Sequence, residues 1–444
     1  MKKWFSIKLG RAIQATSRLY GGGSALPGLV LEKISPKLVS DSLQTLPYGV
    51  VVVSGTNGKT TTTKALVAIL EGQGLKVFTN KTGSNFMRGV ASAWLAEVDP
   101  EGRLTADIAV LELDEAHAVH FVEQISPNYC LLLNVMRDQL DRFGELDNVA
   151  TMLAKIANQT TNAVILNSND GRLVKIGQAL ESKLPPKTTA QTKSTNKTQK
   201  TKSTIRSASA PTKQIHYFGL SPLLAKKLPN PDRLASQHQP KNSVTLDKFQ
   251  GQTAELVFSR KQLTVKTQLS GFHNQLNLTG AVATARAILG TKLNYQKLAT
   301  SLEALEPAFG RGESLWLGQR QIKLILVKNP AGFQASLTTL AQPTPTLIAV
   351  NDNYADGRDV SWLWDVDFRK AKFTEVYTTG SRSADMALRL KYDDIKATHQ
   401  PYLRASLQSF LRDTDGDVVI FATYTAMLKL RHELLRLIKK EAKK

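Results

Sequence analysis

A run of glycine, lysine and threonine directly after a short apolar stretch could hold the phosphates of a nucleotide. Residues 49–53 read GVVVV, which predicts a buried parallel strand, and the loop SGTNGKTTTT follows at once. In such loops backbone N–H groups and a helix N-terminus bind phosphates, the lysine contacts the outer ones, and a threonine hydroxyl binds Mg²⁺. We therefore expect a phosphate site at Gly55, Thr56, Asn57, Gly58, Lys59, Thr60 and Thr61.

The loop departs from the general phosphate-loop pattern at one position. That pattern has a glycine where this chain has Val53, so the match is the shortened form G-T-N-G-K-T. A chance match would lack the flanking elements, whereas here a strand precedes the loop and residues 64–70 read as a helix. The flanks favour a functional loop.

Polar side chains also follow two other apolar strands. The stretch IAVLELDEA (108–116) ends in acids that include Glu112, and AVILNSND (163–170) places Asn167 and Asp170 at its end. The carboxyl ends of parallel strands face the ligand in open α/β sheets, where carboxylates can bind a metal carried by the nucleotide. A solvated acidic turn is the alternative for 112–115. Because such strands alternate with helical segments, we expect a doubly wound α/β domain.

Composition limits the protein class. The chain has 444 residues, 42% of them hydrophobic, which suits two or three domains with real cores. Its one cysteine, Cys130, excludes a disulfide framework and a cysteine-based zinc site. The sequence contains no run of 18 apolar residues that would predict a membrane span. At the N-terminus, Lys8 interrupts the chain before an apolar stretch of signal-peptide length develops. We expect a soluble protein of a reducing compartment, the cytoplasm.

The positive charge is concentrated outside the expected folded body. The net charge is +21, and residues 1–20, 187–213 and 429–444 carry 17 of those charges. A nucleic-acid-binding protein would need a basic face with a supporting motif, and the sequence contains no such motif. Segment 187–213 has seven basic residues, no acid and twelve Ser or Thr, so we expect it to be disordered.

Several motifs together resemble the Mur ligase superfamily. They are the shortened phosphate loop with its threonine run, the acids after residue 111, the stretch NVMRDQLDR (134–142), NSND (167–170), GFHNQLN (271–277) and FGRGE (309–313). Two further stretches are similar to the MurT family of synthetase subunits within it. These are TGSN (82–85) followed by Arg88-Gly89, and NDNYADGRDVSWLWD (351–365).

The resemblance implies an α/β architecture in three parts. A basic amphipathic N-terminal helix and lead-in (1–45), packed on the body or on a membrane, would precede a Mur ligase-like central P-loop domain (46–310) with a doubly wound, mostly parallel sheet. A smaller Rossmann-like α/β C-terminal domain (311–444) would follow. The central domain would carry an insertion at 187–245, in which 217–220 would be the remnant of a zinc ribbon that relatives carry. Zinc is predicted absent, since this segment has no cysteine.

The resemblance also implies site residues. Lys59 and Thr60 would hold phosphates and Mg²⁺, and Glu112 matches the metal-binding glutamate of the superfamily. Asn274 would lie near the adenine and Arg311 near the phosphates. Gln139 stands where many Mur ligases have a metal-binding histidine, which leaves a second Mg²⁺ open.

The activity that the resemblance implies is ATP-dependent amidation. The α-carboxylate of D-glutamate in the lipid II stem peptide would become an acyl phosphate, and ammonia from a GatD-like glutamine amidotransferase partner would convert it to D-isoglutamine. An aspartate of the C-terminal domain would complete the partner's Cys-His pair. The candidates are Asp352, Asp356 and Asp359, which the sequence does not rank, although Asp356 is slightly favoured.

Besides a nucleotide-binding scaffold that only activates its partner, two alternatives stay open. A Mur ligase or folylpolyglutamate synthase that adds an amino acid would use the same ATP site, although the 351–365 signature argues against it. The other is the basic nucleic-acid-binding protein that the charge suggests. Because lipid II lies in an anionic bilayer, the basic ends suggest instead a peripheral contact with the inner face of the plasma membrane.

Overall fold

The computed structural model describes most of the chain, with several gaps. The described residues are 3–19, 26–35, 37–80, 87–136, 146–184, 212–226, 240–259, 261–269, 271–306, 311–338, 340 and 342–442. Four expectations fall outside these ranges: the 82–85 motif, Gln139, residues 309–310 and the predicted disorder of 187–211.

Helices and strands alternate along the described chain. The helices are α1 (Lys3–Leu19), α2 (Leu26–Ile34), α3 (Leu38–Gln44), α4 (Lys59–Gly72), α5 (Met87–Glu97), α6 (Glu115–Gln124), α7 (Leu146–Gln159), α8 (Gly171–Glu181), α9 (Pro222–Lys226), α10 (Phe272–Leu289), α11 (Tyr295–Glu303), α12 (Pro330–Leu337), α13 (Ser383–Lys391), α14 (Leu403–Asp413) and α15 (Tyr424–Glu441). The strands are β1 (Val50–Ser54), β2 (Val77–Thr79), β3 (Ile108–Glu112), β4 (Tyr129–Leu132), β5 (Ala163–Asn167), β6 (Gln214–Leu220), β7 (Val244–Gln250), β8 (Thr253–Phe258), β9 (Lys261–Lys266), β10 (Arg311–Leu317), β11 (Arg320–Leu326), β12 (Thr344–Ala349), β13 (Phe373–Thr379), β14 (Thr398–His399) and β15 (Val418–Ala422).

The first sheet has the order β2-β3-β1-β4-β5-β6-β7-β8-β9, and it is parallel from β2 to β7. Strands β1, β3 and β5 are buried along their whole length, which explains their unbroken apolar runs. Val53 of β1 lies opposite Glu112 of β3, so the carboxyl ends of these two strands are level. The predicted doubly wound, mostly parallel sheet is confirmed.

Helices cover both faces of this sheet. On one face Phe78, Trp94 and Phe121 form the core, and on the other Leu66 and Val282 do so. Helix α1 packs on the domain: Ile7 is buried, and the Arg11 guanidinium donates to the carbonyls of Leu95 and Val98 in and after α5. Helix α1 therefore contributes Ile7 to the core.

The chain re-enters the sheet well before the end of the expected insertion. Strand β6 pairs in parallel with β5 on one side and with β7 on the other, and residues 217–220 form its buried half. The interpretation of 217–220 as the remnant of a zinc-binding insertion is therefore wrong. The apolar side chains of this segment are core residues, and the insertion does not extend unbroken through residue 245.

The second sheet is smaller, with the order β10-β11-β15-β12-β13-β14. Strands β10 and β11 form a hairpin, and the other neighbours are parallel. Glu313 of β10 accepts bonds of 2.8–3.0 Å from the Arg431 guanidinium, which ties the hairpin to α15. We call this sheet, β10 to β15, with the helices packed on it the second unit. It has helices on both faces, as expected for a Rossmann-like α/β domain.

None of the helices in the described ranges has the length and apolar character needed to cross a membrane.

Candidate functional site

The phosphate loop between β1 and α4 needs its glycines for conformation and for space. Gly55 and Gly58 have φ values of 128° and 90°, which disfavour other residues. A Cβ on Gly58 would lie 2.4 Å from Asn277 Oδ1 of α10. Asn134, which follows β4, braces the loop: its Oδ1 accepts from the Asn57 backbone N–H over 2.8 Å, and its Nδ2 donates to the Asn57 carbonyl over 3.0 Å.

Lys59 lies at the first turn of α4 with its ammonium group folded over the loop. Its Nζ donates to the Gly55 carbonyl over 2.6 Å and to the Thr56 carbonyl over 3.3 Å. The same nitrogen lies 3.5 Å from Glu115 Oε2, and both side chains are buried. The cation is therefore at the loop, where the sequence places it, and a buried carboxylate balances its charge.

Thr60 and Glu112 meet at the carboxyl ends of β1 and β3. The Thr60 hydroxyl donates to Glu112 Oε1 over 2.8 Å. Asn80, which follows β2, bonds to the backbone of Glu112 in both directions: its Nδ2 donates to the carbonyl and its Oδ1 accepts from the N–H. These contacts bring together the two residues predicted to bind Mg²⁺.

Thr56 and Thr61 lie where their side chains contact other parts of the protein. The Thr56 hydroxyl bonds to the backbone of Met136, which links the loop to the segment after β4. Thr61 is buried in α4, and its hydroxyl has no hydrogen-bond partner among the described residues. Their predicted contact with the nucleotide stays a prediction.

Asn167 and Asp170 lie at the end of β5, on the same side of the sheet as the loop. Asn167 Nδ2 donates to the Leu133 carbonyl over 2.9 Å. Asp170 caps α8: Oδ1 accepts from the Arg172 and Leu173 N–H groups, and Oδ2 accepts from the Val135 N–H. Burial raises the pKa of Asp170 despite these donors. Both residues thus support the segment that follows β4, and their predicted contact with the nucleotide stays a prediction.

A cavity lies between the phosphate loop and the second sheet. The loop contributes Asn57 and Gly58, and the first turn of α10 contributes Asn274. Lys323 of β11 and Lys328 line the opposite wall, and burial lowers the pKa of Lys323. The cavity places Asn274 near the loop, and its predicted contact with the adenine stays a prediction. Arg311 begins β10 in the same second unit.

The polar groups around the phosphate loop fit a nucleotide and a hard cation. The N-termini of α4 and α10 carry glycine caps, Gly58 and Gly271, without a side-chain capping bond. Their backbone N–H groups suit anionic phosphates, and the Thr60 hydroxyl and Glu112 carboxylate are oxygen ligands of the kind Mg²⁺ prefers. Within the described ranges no three His, Cys, Asp or Glu side chains group as metal ligands. The absence of zinc stays a prediction.

Asp356 is held inside the loop that follows β12. It is 4% exposed, Oδ1 accepts from the Thr425 N–H over 2.7 Å, and Oδ2 accepts from the Thr425 hydroxyl over 2.5 Å. The Asn353 amide also donates to Oδ2 over 3.2 Å. Because Thr425 is in the first turn of α15, this carboxylate anchors the loop to a helix N-terminus.

Asp352 and Asp359 are more accessible than Asp356. Asp352 accepts from the Ser381 hydroxyl over 2.7 Å and from Arg382 Nε over 2.8 Å, and these bonds lower its pKa, that from Ser381 most. Asp359 Oδ1 accepts from the Ser361 N–H over 2.8 Å. The structure places all three aspartates in one loop at the carboxyl end of a parallel strand.

Four residues of the site were not among the predicted site residues: Asn80, Asn134, Glu115 and Asn329. The first two follow strands β2 and β4, so the rule that picked out Asn167 could have found them. Glu115 was visible only as one of several acids. Asn329 precedes α12 in the other unit, and its Nδ2 donates to Asn57 Oδ1 over 2.9 Å across 272 positions of chain.

Family comparisons agree with this geometry. The model of the Mur ligase middle domain matches residues 53–227, and the model described as MurT ligase C-terminal matches residues 326–427. The matched regions contain the phosphate loop and the aspartate loop, respectively. The comparison thus matches part of the first sheet, through β6, and part of the second sheet, from β12 to β15, to two different families of domain.

Relatives match over nearly the whole chain. The Streptococcus pneumoniae protein named lipid II isoglutaminyl synthase (glutamine-hydrolyzing) subunit MurT is 30% identical over 99% of both chains. Among solved structures, MurF from Acinetobacter baumannii superposes with a TM-score of 0.67 at 19% identity, covering 92% of this chain and 81% of that one. MurF ligase from Thermotoga maritima in complex with ADP gives 0.65 at 17% identity, with 91% and 83% covered. The two solved structures show that this chain has the Mur ligase fold. The pneumococcal relative, which matches at 30% identity over nearly the whole length, shows that the chain belongs to the MurT family.

Proposed function

We propose that this chain is the ATP-dependent amide ligase subunit of a lipid II isoglutaminyl synthase. The observation that carries the proposal is a phosphate loop that holds Lys59 over its carbonyls, bonds Thr60 to Glu112, and faces the second unit through Asn57 and Gly58. This arrangement suits phosphoryl transfer, in which cations and dipoles stabilise charge at the γ-phosphate. The name of the pneumococcal relative, lipid II isoglutaminyl synthase subunit, supports lipid II as the substrate class.

The reaction has two steps in which atoms and charges balance. A carboxylate oxygen of D-glutamate in the stem peptide attacks the γ-phosphorus of the substrate ATP, and the bond to ADP breaks. Ammonia then attacks the acyl carbon, the bond to the phosphate oxygen breaks, and the nitrogen loses one proton to solvent, so that D-isoglutamine, phosphate and a proton result. Phosphorylation is needed because a carboxylate is a poor electrophile, and its oxygen leaves more readily as phosphate.

Residues of both units are proposed to act in this reaction. Gly55 and Gly58 would bind phosphate through backbone N–H groups, and Asn57 would line the site beside them. Lys59 would neutralise the outer phosphates, and Thr60 with Glu112 would hold Mg²⁺. Asn274 would contact the adenine and Arg311 the phosphates. Thr56, Thr61, Asn167 and Asp170 complete the proposed nucleotide site. The cation supplies charge neutralisation at the transferred phosphate.

Ammonia is proposed to come from a GatD-like glutamine amidotransferase subunit. The word subunit in the relative's name supports a partner. One carboxylate among Asp352, Asp356 and Asp359 would orient the imidazole of the partner's Cys-His pair. In the structure Asp352 and Asp359 are accessible from the surface, whereas Asp356 holds the loop in shape. An effect of Asp356 on the partner would therefore act through the loop or require the loop to open.

We also propose a cytoplasmic location with a peripheral contact at the inner face of the plasma membrane. The support is the concentration of positive charge in the two chain ends and in residues 187–213. Liposomes containing anionic lipid should bind the full chain and release it as salt rises. Unchanged liposome binding after removal of 187–213 and neutralisation of the terminal cations would contradict this proposal.

The decisive experiment is glutamine-dependent amidation of lipid II by the chain co-expressed with its glutaminase. Lys59→Ala should abolish amidation and ATP hydrolysis but leave the complex intact. Lys64→Ala is the matched control, since Lys64 lies in the same helix but donates to the Glu306 carbonyl at the surface. Normal amidation by Lys59→Ala would refute the ATP assignment. A survey of ammonia and amino acids as nucleophiles separates this function from a ligase that adds an amino acid.

A further inference from the structure

Two asparagine side chains join the phosphate loop to the second unit. Asn329 Nδ2 donates to Asn57 Oδ1 over 2.9 Å, and Asn57 Nδ2 donates to Asn329 Oδ1 over 3.3 Å. Asn329 is fully buried, and Asn57 is half-buried at the wall of the cavity. The Gly332 N–H, which donates to Asn329 Oδ1, defines the orientation of the Asn329 amide, and the bonds in both directions then define that of Asn57. We call these two residues the asparagine clasp.

Asn329 is held firmly on its own side. Its Oδ1 also caps α12 by accepting from the Gly332 N–H over 2.8 Å. Helix α12 is anchored in the core of the second sheet through Phe333, whose ring lies 5.1 Å from Phe421 and 5.2 Å from Phe368. Gln334 of the same helix accepts from the Asp367 N–H over 2.8 Å. The amide of Asn329 therefore reaches the phosphate loop from a rigid support.

Asn57 lies in the part of the loop where phosphate would bind. Its backbone N–H and carbonyl are both bonded to the Asn134 side chain, so the backbone is held from the central sheet. Its side chain is held from the second unit by Asn329. The peptide units around Gly58 are thus aligned by contacts from two domains, and without the clasp this part of the loop would rely on one.

We propose that Asn329 is a positioning residue of the nucleotide site, through which the second unit completes the phosphate loop. The inference rests on the proposed function. It predicts that loss of the clasp weakens ATP binding while chemistry at saturating ATP continues, because no atom of Asn329 is required to touch the reacting phosphate. The benefit is preorganisation, which contributes to affinity by lowering the ordering cost of binding.

The test uses the full chain and Mg-ATP, with affinity measured by calorimetry. Asn329→Ser keeps an oxygen that can cap α12 but is too short to reach Asn57. We expect roughly 5- to 10-fold weaker binding, the effect of losing one or two hydrogen bonds. In the complex with the glutaminase, the KM for ATP should rise by a similar factor and kcat should change by less than about 2-fold.

Two further variants keep the test decisive. Asn294→Ser is the matched control, since Asn294 caps α11 by the same kind of bond outside the cavity and should leave ATP affinity unchanged. Asn57→Ala combined with Asn329→Ser forms a double-mutant cycle, in which the double variant should bind about as weakly as the weaker single one.

The outcomes separate the two proposals. Wild-type affinity in a folded Asn329→Ser chain, or strictly additive effects in the cycle, would overturn the role of Asn329 and leave the proposed function standing. A fall in kcat equal to the loss in kcat/KM would also overturn it, since that result indicates a catalytic role. Failure of the wild-type chain to bind Mg-ATP would overturn both.

Discussion

The Thr60 hydroxyl donates a hydrogen bond to Glu112 Oε1 over 2.8 Å and joins the first turn of α4 to the carboxyl end of β3. The carboxylate is 7% exposed, and the Asn80 amide holds its backbone from β2. The pair is therefore preorganised from three neighbouring elements. A hydroxyl and a carboxylate in this arrangement form one half of an oxygen site for a divalent cation.

Glu112→Gln should raise the Mg²⁺ concentration that is needed for half-maximal ATP hydrolysis. We expect a roughly 10- to 100-fold increase, because a neutral amide replaces the charged ligand while the size and shape of the side chain are kept. A magnesium titration of phosphate release measures the effect. Glu123→Gln, on the exposed side of α6, is the control and should titrate like the wild type. An unchanged magnesium requirement in Glu112→Gln would remove Glu112 from the metal site.

Gly58→Ala should disturb the phosphate loop more than a glycine substitution elsewhere. The alanine would have to adopt the φ of 90° at this position, and its Cβ would lie 2.4 Å from Asn277 Oδ1. Backbone strain and a steric clash would therefore both destabilise the variant. We expect a loss of about 1–3 kcal/mol in the free energy of unfolding, together with loss of ATP binding. Gly251→Ala, with a φ of 58° and no atom within 4 Å of its Cβ, carries only the strain. Equal effects on ATP binding in the two variants would contradict the close packing of the loop on α10.

Asp356→Asn should lower stability more than Asp352→Asn and Asp359→Asn do at neutral pH. The amide can accept only through one oxygen, so one of the bonds from Thr425 is lost in a buried place. We expect a cost of about 1–3 kcal/mol, measured by urea unfolding. Glutamine hydrolysis by the partner, measured on the same three variants, then identifies the carboxylate that the partner uses. Wild-type stability in Asp356→Asn would show that Asp356 does not anchor the loop.

Asp352 should make stability depend on pH in the acid range. Its pKa is lowered from 3.8, first by the Ser381 hydroxyl and then by Arg382, so the folded state favours the ionised form. The resulting stabilisation is complete above pH 3.8 and is lost as the pH falls through the lowered value. Asp352→Asn should therefore lose less stability than the wild type between about pH 5 and pH 2. Urea midpoints across that range measure the difference, and parallel curves for the two proteins would contradict it.

Local sequence was sufficient wherever one element and its adjoining turn carry the signal. The unbroken apolar runs predicted β1, β3 and β5, and the glycine-lysine-threonine loop predicted its own helix, because backbone conformation and burial of a parallel strand depend on neighbouring residues. The rule that ligands lie at the carboxyl ends of parallel strands then brought Thr60 and Glu112 to one place. The error at 217–220 has the same origin, since the apolar character of β6 was attributed to a missing motif when it marks a core strand.

The sequence by itself therefore determined the phosphate loop, the strand-end acids and the resemblance that unites them. Only the tertiary structure decided which side chains from distant segments support them. Asn57 and Asn329 are separated by 272 positions, and Asp356 and Thr425 by 69. Such contacts depend on the order of strands in two sheets and on how one sheet faces the other. No local periodicity records that order, because it is set by the burial of whole faces and not by any single residue.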